Sequence, residues 1–372
     1  MNAPSLSPEP AVIDGTAQIT PAWVQSVLRH SGLPDAMVRA VSAEPIGAGN
    51  VSDCVRVAIT YDAAPGGAPS SVVVKLKPSD PGAHAHGLHS GAYHREIGAF
   101  RAIGERRAGR IPLAYWVAGD ETNINLVTED LTGSTIPGNQ AAGSTVDQAQ
   151  AVLVELARVH SAFDPISPDS APEWMIRLAD VCDYWSTAAR AGADAALVRF
   201  ADMLPAEALE VIDEAADLVR NWHLLPQQRW SFTHGDPRVD NVLFEEGPDG
   251  PSAVLIDWQV TGVRNPMYDV GYFMSGSIDA DLRSEHEMDL IRRYVEVYNE
   301  RAGGYDLATA VSDYQIQLLS GLFISLAAID VLPDTEVVNA LILALLQRNC
   351  AAALDWHSVA ALRNVVNAVS VR

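Results

Sequence analysis

The chain of 372 residues is long enough for two domains or for one large domain with two parts. Hydrophobic residues make up 48% of it and charged residues 19%, which excludes a mainly disordered or collagen-like chain. The formal net charge of −22 disfavours nucleic acid and anionic membrane surfaces as general partners, because like charges repel.

The first part of the chain is predicted to be rich in strands. Thr20 and Pro21 begin a short helix, with the threonine as its cap. A second helix is expected near residues 93–103, where apolar side chains recur on one helical face. Residues 78–90 are interpreted as a solvated loop. Five strands are predicted by alternating and β-branched residues, at 38–46, 51–61, 71–77, 113–117 and 123–129.

After residue 130 the pattern becomes mostly helical. Thr145 and Gln148 form a capping box, which predicts a helix that starts there. Only residues 231–258 interrupt the helices, with a loop, a strand, a turn and a second strand. The predicted fold class is therefore α+β. A β-rich N-terminal lobe over residues 1–130, with an N-terminal arm, precedes a helical lobe over residues 131–372.

Cysteine usage and the N-terminus favour the cytoplasm. Cys54, Cys182 and Cys350 are far apart, which is typical of a protein from a reducing compartment. The first 15 residues lack the basic and apolar regions of a secretory signal. No run approaches the roughly 18 apolar residues of a membrane helix. We therefore expect no membrane association.

The residues with the clearest chemical meaning lie around position 240. Residues 232–244 read FTHGDPRVDNVLF, and residues 254–259 read VLIDWQ. Asn241 and Asp257 flank a short predicted hairpin, and such hard oxygen ligands suit Mg²⁺. Asp236 would face the same place, where an unbonded carboxylate could accept a proton from a hydroxyl group. The alternative is a solvated turn rich in Asp and Asn, but the order and spacing of the full set favour a site.

Two further features indicate a phosphate site. Of the 25 basic residues only Lys75 and Lys77 are lysines, so a compact ammonium is retained against a strong bias toward arginine. Both lysines lie on one face of a predicted strand, and spacing alone does not choose between them. A glycine-rich segment between two strands could let the backbone approach phosphate oxygens, although an ordinary hairpin turn would also explain it. Its candidate residues are Gly47, Gly49, Asn50 and Ser52.

Together these motifs resemble the aminoglycoside phosphotransferase and choline-kinase-like superfamily, which has a protein-kinase-like, two-lobed fold. The HGDxxxxN and IDW segments carry the resemblance, and the glycine loop, the VVVK strand, the YHRE helix and the LVTEDL segment extend it over most of the chain. The IDWQ and YDVGYF segments look more like the ecdysteroid-kinase-like, or CHK-like, branch. The third glycine of the kinase loop is absent.

The resemblance implies an ATP- and Mg²⁺-dependent kinase that phosphorylates a hydroxyl group of a small molecule. Asp236 would orient and deprotonate the acceptor, while Asn241 and Asp257 would hold Mg²⁺ between the ATP phosphates. Arg238 would stabilise the moving phosphoryl group by charge; the alternative is a surface arginine or an internal ion pair.

The resemblance also assigns residues to the nucleotide. Lys75 would contact the α- and β-phosphates and be held by Glu96, whose alternative is an exposed position on a helix. The backbone at Glu129 and Leu131 would bind the adenine edge between the two lobes. Asp269 matches a buried aspartate that bonds the backbone of the catalytic loop.

Three alternatives stay open at this point. His84, His86, His89 and His94 could suggest a metal site, but a solvated loop explains them better. The chain could bind a nucleotide without turnover, as a regulatory pseudokinase, although every residue needed for catalysis is present. A protein kinase is disfavoured, because residues 258–268 are too short for an activation segment. Neither the acceptor nor the oligomeric state can be derived from the sequence.

Overall fold

The computed structural model describes residues 8–47 and 51–370. The chain forms two compact units, each made of several segments. The first unit comprises Met1–Arg107, Ile111–Ser134 and Asp257–Gln259, and the second comprises Ala108–Arg110, Thr135–Ile256 and Val260–Arg372. The domain boundary predicted at residues 130 and 131 remains a prediction.

A five-stranded antiparallel sheet is the centre of the first unit. Its strands are β1 (Met37–Pro45), β2 (Asp53–Ala63), β3 (Ser71–Leu76), β4 (Ala114–Gly119) and β5 (Ile124–Glu129). They pair in the order β1-β2-β3-β5-β4. The helices of this unit are α1 (Pro21–His30), α2 (Pro81–Ser90) and α3 (Ala92–Arg106), and a short 3-10 helix spans Thr16–Gln18. All five predicted strands are confirmed within a few residues.

The side chains of β3 alternate between the two faces of the sheet, and the two faces have different surroundings. Val72 and Val74 are fully buried in a core that includes Trp23 of α1. Since neighbouring side chains of a strand point to opposite faces, Lys75 lies on the other face, toward α3. Helix α1 begins as predicted, because the Thr20 hydroxyl accepts a hydrogen bond from Trp23 N.

One expectation for this unit is wrong. Residues 81–90 form helix α2 and not a loop, because the Asp80 carboxylate caps it by accepting from Ala83 N at 2.7 Å and Pro81 follows in the first turn. The described part of the expected N-terminal arm is anchored to the sheet. Ile13 N donates to Asn125 Oδ1 at 2.9 Å, and Asn125 Nδ2 donates back to Ile13 O.

The second unit is mostly helical and contains two small sheets. Its helices are α4 (Val146–Ala162), α5 (Leu178–Arg199), α6 (Ala206–Ala216), α7 (Val219–His223), α8 (Met267–Ser277), α9 (Ala280–Arg301), α10 (Leu307–Gln317), α11 (Leu319–Val331), α12 (Glu336–Asp355) and α13 (Ser358–Ser370). The strands are β6 (Thr135–Pro137), β7 (Ile176–Arg177), β8 (Ser231–Thr233), β9 (Val242–Gly247), β10 (Gly250–Leu255) and β11 (Gly262–Arg264). The sheets have the orders β10-β9-β6 and β7-β11-β8.

These elements confirm the predicted α+β fold, with an antiparallel sheet early in the chain and helices later. The capping box is present, since Thr145 Oγ1 accepts from Gln148 N while the Gln148 side chain accepts from Thr145 N. The predicted hairpin is formed by β9 and β10. Helix α8 is buried along its whole length and lies at the centre of the helical unit.

Among the described residues, helix α12 alone is long and apolar enough to cross a membrane. Its most apolar window has a mean hydropathy of 1.6, and 33% of that window is buried. The helix packs against α6, α8, α9 and α11. This is weak evidence for a membrane span, because a core helix of a globular protein has the same length and composition.

Close packing of α5 against α11 predicts a large effect at one glycine. A Cβ atom added at Gly192 would lie 1.8 Å from the carbonyl oxygen of Leu326. We expect Gly192→Ala to lower the free energy of unfolding by about 3 kcal/mol, the upper end for overpacking. Gly104→Ala in α3 meets nothing within 4 Å and should stabilise by about 0.5–1 kcal/mol. Denaturant titration measures both, and equal stability of the two variants would contradict the packing argument.

Candidate active site

A buried ammonium with two carboxylate partners lies in the first unit. Lys75 Nζ is 2.7 Å from Glu96 Oε1 and 3.0 Å from Asp257 Oδ1. The side chain of Glu96 is 4% exposed, so its alternative interpretation as an exposed helix residue is wrong. Strand β3 presents the lysine and α3 presents the glutamate, and together they define the position of the charge.

Electrostatics keep this lysine charged. Burial by itself lowers the pKa of Lys75, but the carboxylates of Asp257 and Glu96 outweigh it, and the pKa lies well above its usual value. Burial raises the pKa of Glu96, and the ammonium of Lys75 opposes that rise. A fixed positive charge of this kind can neutralise a phosphate group.

Geometry also distinguishes the two lysines. Lys77 Nζ is 2.6 Å from Asp14 Oδ1, and this aspartate is 73% exposed. Lys75 is 13% exposed and has two partners. A paired lysine near solvent is poorly suited to hold a substrate group in place. The structure therefore favours Lys75 where spacing alone did not decide.

Asp257 has an unusual backbone conformation. Its φ is 66°, in the left-handed region that residues other than glycine rarely adopt. Gln259 Nε2 donates to Asp257 Oδ2 at 2.8 Å, and Arg95 Nε donates to Gln259 O at 2.6 Å. Such strain persists only where the surrounding structure enforces it, and it is concentrated at functional sites.

The other candidate nucleotide residues of the first unit occupy varied environments. Gly47 has a φ of 71°, which favours glycine, and Ser52 is buried. Gly49 and Asn50 lie outside the described residues. Glu129 N donates to Leu113 O at 2.8 Å, and Leu131 O accepts from Ser134 N. A role for these residues in nucleotide binding remains a prediction.

In the second unit, the segment after β8 is held by one buried carboxylate. Asp269 is fully buried and accepts from His234 N at 2.6 Å, Gly235 N at 3.0 Å and His160 Nε2 at 3.0 Å. Gly235 has a φ of 89°, and a Cβ there would lie 2.3 Å from Val260 O. Only glycine fits this turn, and the turn directs the next residue, Asp236.

His234 braces the same segment, as the sequence suggested. Its Nε2 is 2.9 Å from Ile256 O, and its Nδ1 accepts from Asp236 N. In these contacts Nε2 faces a carbonyl oxygen and Nδ1 serves as an acceptor. Ile256 N in turn donates to Asn241 O at 3.0 Å. Asp257 is the next residue in the chain, so these bonds restrain the position of its backbone nitrogen.

The carboxylate of Asp236 is not unbonded, which corrects the expectation. Tyr272 Oη donates to Asp236 Oδ1 at 2.7 Å, and Asn241 Nδ2 donates to Oδ2 at 3.1 Å. Arg238 Nε lies 3.5 Å from Oδ2, and Arg238 Nη1 lies 3.8 Å from Asp240. The internal ion pair considered for Arg238 is therefore present. These contacts orient the carboxylate while each oxygen keeps accepting capacity.

Sequence reasoning missed Tyr272 as a partner of this carboxylate. Burial raises its pKa well above the usual value, and Asp236 raises it further, so the hydroxyl stays protonated and donates. The YDVGYF segment contains it, one helical turn after Asp269 on α8. Helical spacing from a buried aspartate was the available signal.

Asp236 and Arg238 line a cavity of about 280 Å³ whose walls belong to the second unit. Helices α5, α7, α8, α11 and α12 contribute to those walls. A volume of this size lies near the lower limit of small-molecule pockets, about 300 Å³. A carboxylate at the wall of such a cavity can meet a bound hydroxyl group.

The ligand chemistry fits a nucleotide-bound Mg²⁺ better than a metal cage. Within residues 8–47 and 51–370, no three His, Cys, Asp or Glu side chains cluster to hold a metal ion. Of the four histidines at positions 84, 86, 89 and 94, His84 contacts Thr122 O at 3.1 Å and stacks on Tyr93. Because its amide nitrogen donates to Asp236, Asn241 offers an oxygen ligand, and Asp257 offers a carboxylate. Mg²⁺ commonly uses one or two such ligands together with phosphates.

Comparison with known proteins places the chain among the phosphotransferases. The sequence profile of the phosphotransferase enzyme family matches residues 45–309, so the chain belongs to that family. Its members are transferases, and the protein-kinase-like fold predicted above is confirmed. No curated protein matches the chain significantly in sequence. Membership of the ecdysteroid-kinase-like branch remains a prediction.

Solved structures agree on the fold. An aminoglycoside 2'-phosphotransferase-IIIa in complex with GDP has a TM-score of 0.53 at 14% identity, covering 88% of this chain and 97% of the other. Choline kinase from Cryptosporidium parvum Iowa II has a TM-score of 0.52 at 12% identity, and the match covers 88% of this chain and 93% of the other. Ethanolamine kinase from Plasmodium vivax has a TM-score of 0.51 at 14% identity, and the match covers 87% of this chain and 86% of the other.

The contacts of Asp269 predict a pH-dependent stability. Burial raises its pKa, but the hydrogen bond from the His160 ring, together with that from the N–H of Gly235, outweighs burial and leaves the pKa below its usual value. Such a carboxylate stabilises the fold above its unfolded pKa of about 3.9, and the contribution is lost as the pH falls through the lower folded value.

Asp269→Asn should therefore lower the free energy of unfolding by about 3–5 kcal/mol near pH 7, because an amide cannot accept all three donors. The difference from the wild type should shrink as the pH falls below about 4. Denaturant titrations across this pH range measure it, with the exposed Asp281→Asn as control. A difference that does not change with pH would contradict the assignment.

Proposed function

We propose that the protein is an ATP- and Mg²⁺-dependent kinase that phosphorylates a hydroxyl group of a small molecule in the cytoplasm. One observation carries the proposal: an oriented carboxylate, Asp236, lies at the wall of a cavity of small-molecule size. Family membership supports phosphoryl transfer. The buried ammonium of Lys75 supports a phosphate-bearing donor.

The chain's own residues have distinct tasks in this reaction. Asp236 accepts a hydrogen bond from the acceptor hydroxyl and takes its proton as the oxygen attacks the γ-phosphorus. A new P–O bond forms at the acceptor, and the bond to the bridging oxygen of ADP breaks. The products are a phosphate monoester, ADP and one proton. Arg238 offers a positive charge beside the transferred group.

The nucleotide is assigned to residues of the first unit. Lys75, held by Glu96, contacts the α- and β-phosphates, and the segment with Gly47, Gly49, Asn50 and Ser52 covers them. The backbone at Glu129 and Leu131 binds the adenine edge. Asn241 and Asp257 would hold Mg²⁺, which neutralises phosphate charge when it is bound.

A pseudokinase that binds the nucleotide without turnover is the second candidate. Its supporting observation is the set of internal bonds at Asp236, which include an ion pair with Arg238. We favour the enzyme, because Tyr272 and Asn241 orient the carboxylate and leave it accepting capacity. ADP release that depends on an added hydroxylated compound would separate the two candidates.

Replacing the proposed base tests the reaction. Asp236→Asn removes the proton acceptor but keeps its size, so turnover should fall by about 10²- to 10⁴-fold. Nucleotide affinity should stay unchanged, because Lys75 and Asp257 are intact. ADP release across hydroxylated compounds and nucleotide titration measure both quantities. The exposed Asp249→Asn is the control. Full turnover by Asp236→Asn would remove this residue from its role.

The two lysines form a matched pair for the nucleotide. Lys75→Arg puts a larger planar cation between two carboxylates, and the KM for ATP should rise about tenfold or more. Lys77→Arg keeps the ion pair with exposed Asp14 and should leave the KM unchanged. Steady-state kinetics with varied ATP measure both variants. Equal KM values would contradict the assignment of Lys75.

A further inference from the structure

The cavity in the second unit extends from the proposed base into the helices. Its wall includes Gly235 and Asp236, and it also includes side chains of α11 and α12. A bound acceptor that places its hydroxyl group at Asp236 therefore places its remaining atoms among those helices. The chemistry of this wall selects the acceptor.

The wall does not share the strong negative charge of the chain. Among the described residues that line the cavity, Asp236 alone carries a carboxylate, while Arg238 and Arg264 carry positive charges. His223 also lines it, and burial lowers the pKa of this histidine to about 4, so it is neutral near pH 7. A cationic acceptor would find no carboxylate there apart from the proposed base. Burying its charge without a partner is costly.

The part of the wall formed by α11 and α12 is largely hydrocarbon. Ile324 and Ala328 of α11 line the cavity together with Leu341, Ile342 and Leu345 of α12. Four of these five side chains are only partly buried, so they present apolar surface that a ligand can cover. A ligand that covers this surface binds more favourably, in proportion to the apolar area that is removed from water.

Aromatic rings in the wall raise the alternative of a quaternary ammonium site, which uses ring faces. Here the rings already have partners. The guanidinium of Arg264 lies 4.8 Å from the centre of the Tyr268 ring, and Tyr272 stacks on that tyrosine. Trp222 packs against Tyr268 and Phe323. A second cation beside Arg264 would be repelled.

A small polar group interrupts the apolar part. Asn349 Nδ2 donates to Ser325 Oγ at 3.2 Å, and Ser325 Oγ donates to Gly321 O. Asn349 and Ser325 line the cavity, and both are uncharged. They can orient a neutral ligand but supply no charge to pair with a cation.

We infer that the acceptor is an uncharged aliphatic alcohol, with its hydroxyl group at Asp236 and its hydrocarbon part between α11 and α12. This inference rests on the proposed function, because it assumes that the cavity binds the acceptor. It departs from the amine-bearing acceptors that the names of similar structures suggest.

Alcohols that differ only in charge provide the test. 3,3-Dimethylbutan-1-ol is the uncharged twin of choline, and octan-1-ol has a cationic twin of equal length in 7-aminoheptan-1-ol. We expect kcat/KM from ADP release to be about tenfold or more higher for the neutral member of each pair. Along linear alcohols from butan-1-ol upward, each buried methylene should tighten binding about fourfold until the cavity is filled.

Calorimetric binding without ATP separates this inference from the proposed function. Turnover that favours the cationic twins would overturn the inference and leave the kinase intact. Preferential binding of the neutral twins without any turnover would support the ligand preference assigned to the cavity and count against the kinase. Equal or absent binding of both twins would overturn the inference.

A cavity-filling variant locates the binding. Ala328→Trp places a large ring at the apolar part of the wall and should weaken octan-1-ol binding about tenfold or more while nucleotide binding persists. Val198→Trp is the control, because Val198 is 83% exposed on α5 and does not line the cavity. Unchanged octan-1-ol binding by a folded Ala328→Trp protein would place the alcohol elsewhere and overturn the inference.

Discussion

The segment that follows β8 in the second unit depends on the buried carboxylate of Asp269. It accepts from two consecutive backbone N–H groups, at His234 and Gly235, and from the ring of His160. A buried charge is tolerated only when such donors surround it. The same bonds hold the tight turn at Gly235 and so direct Asp236 toward the cavity. Stability and chemistry thus share one interaction.

In the first unit a buried positive charge is likewise held by partners of opposite charge. Lys75 is buried with Glu96 and Asp257, and the two carboxylates outweigh the cost of burying the ammonium. Asp257 adopts a left-handed backbone conformation there. A pre-positioned charge loses little freedom when it meets a phosphate, which is the general benefit of preorganisation.

Overall charge and local charge disagree in this protein. The chain carries a formal charge of −22, yet Asp236 is the one carboxylate among the described residues that line the cavity. Acidic side chains are numerous on the exposed helix faces, where they are solvated. Net charge therefore says little about a binding site, because a ligand responds mainly to the few groups within a Debye length of it.

The sequence by itself determined the strands, most of the helices, the family resemblance and the residue types of the site, because periodicity, caps and short motifs are local properties. The different surroundings of Lys75 and Lys77, the bond from Tyr272 to Asp236 and the apolar wall that includes Ala328 came only from the tertiary structure. Each depends on residues far apart in the chain, and no local pattern encodes which of them meet. Helix α2 is an exception, because a local signal for it was present but was not used. Asp80 and Pro81 are typical of a helix start, whereas the histidines and glycines that follow are typical of a loop.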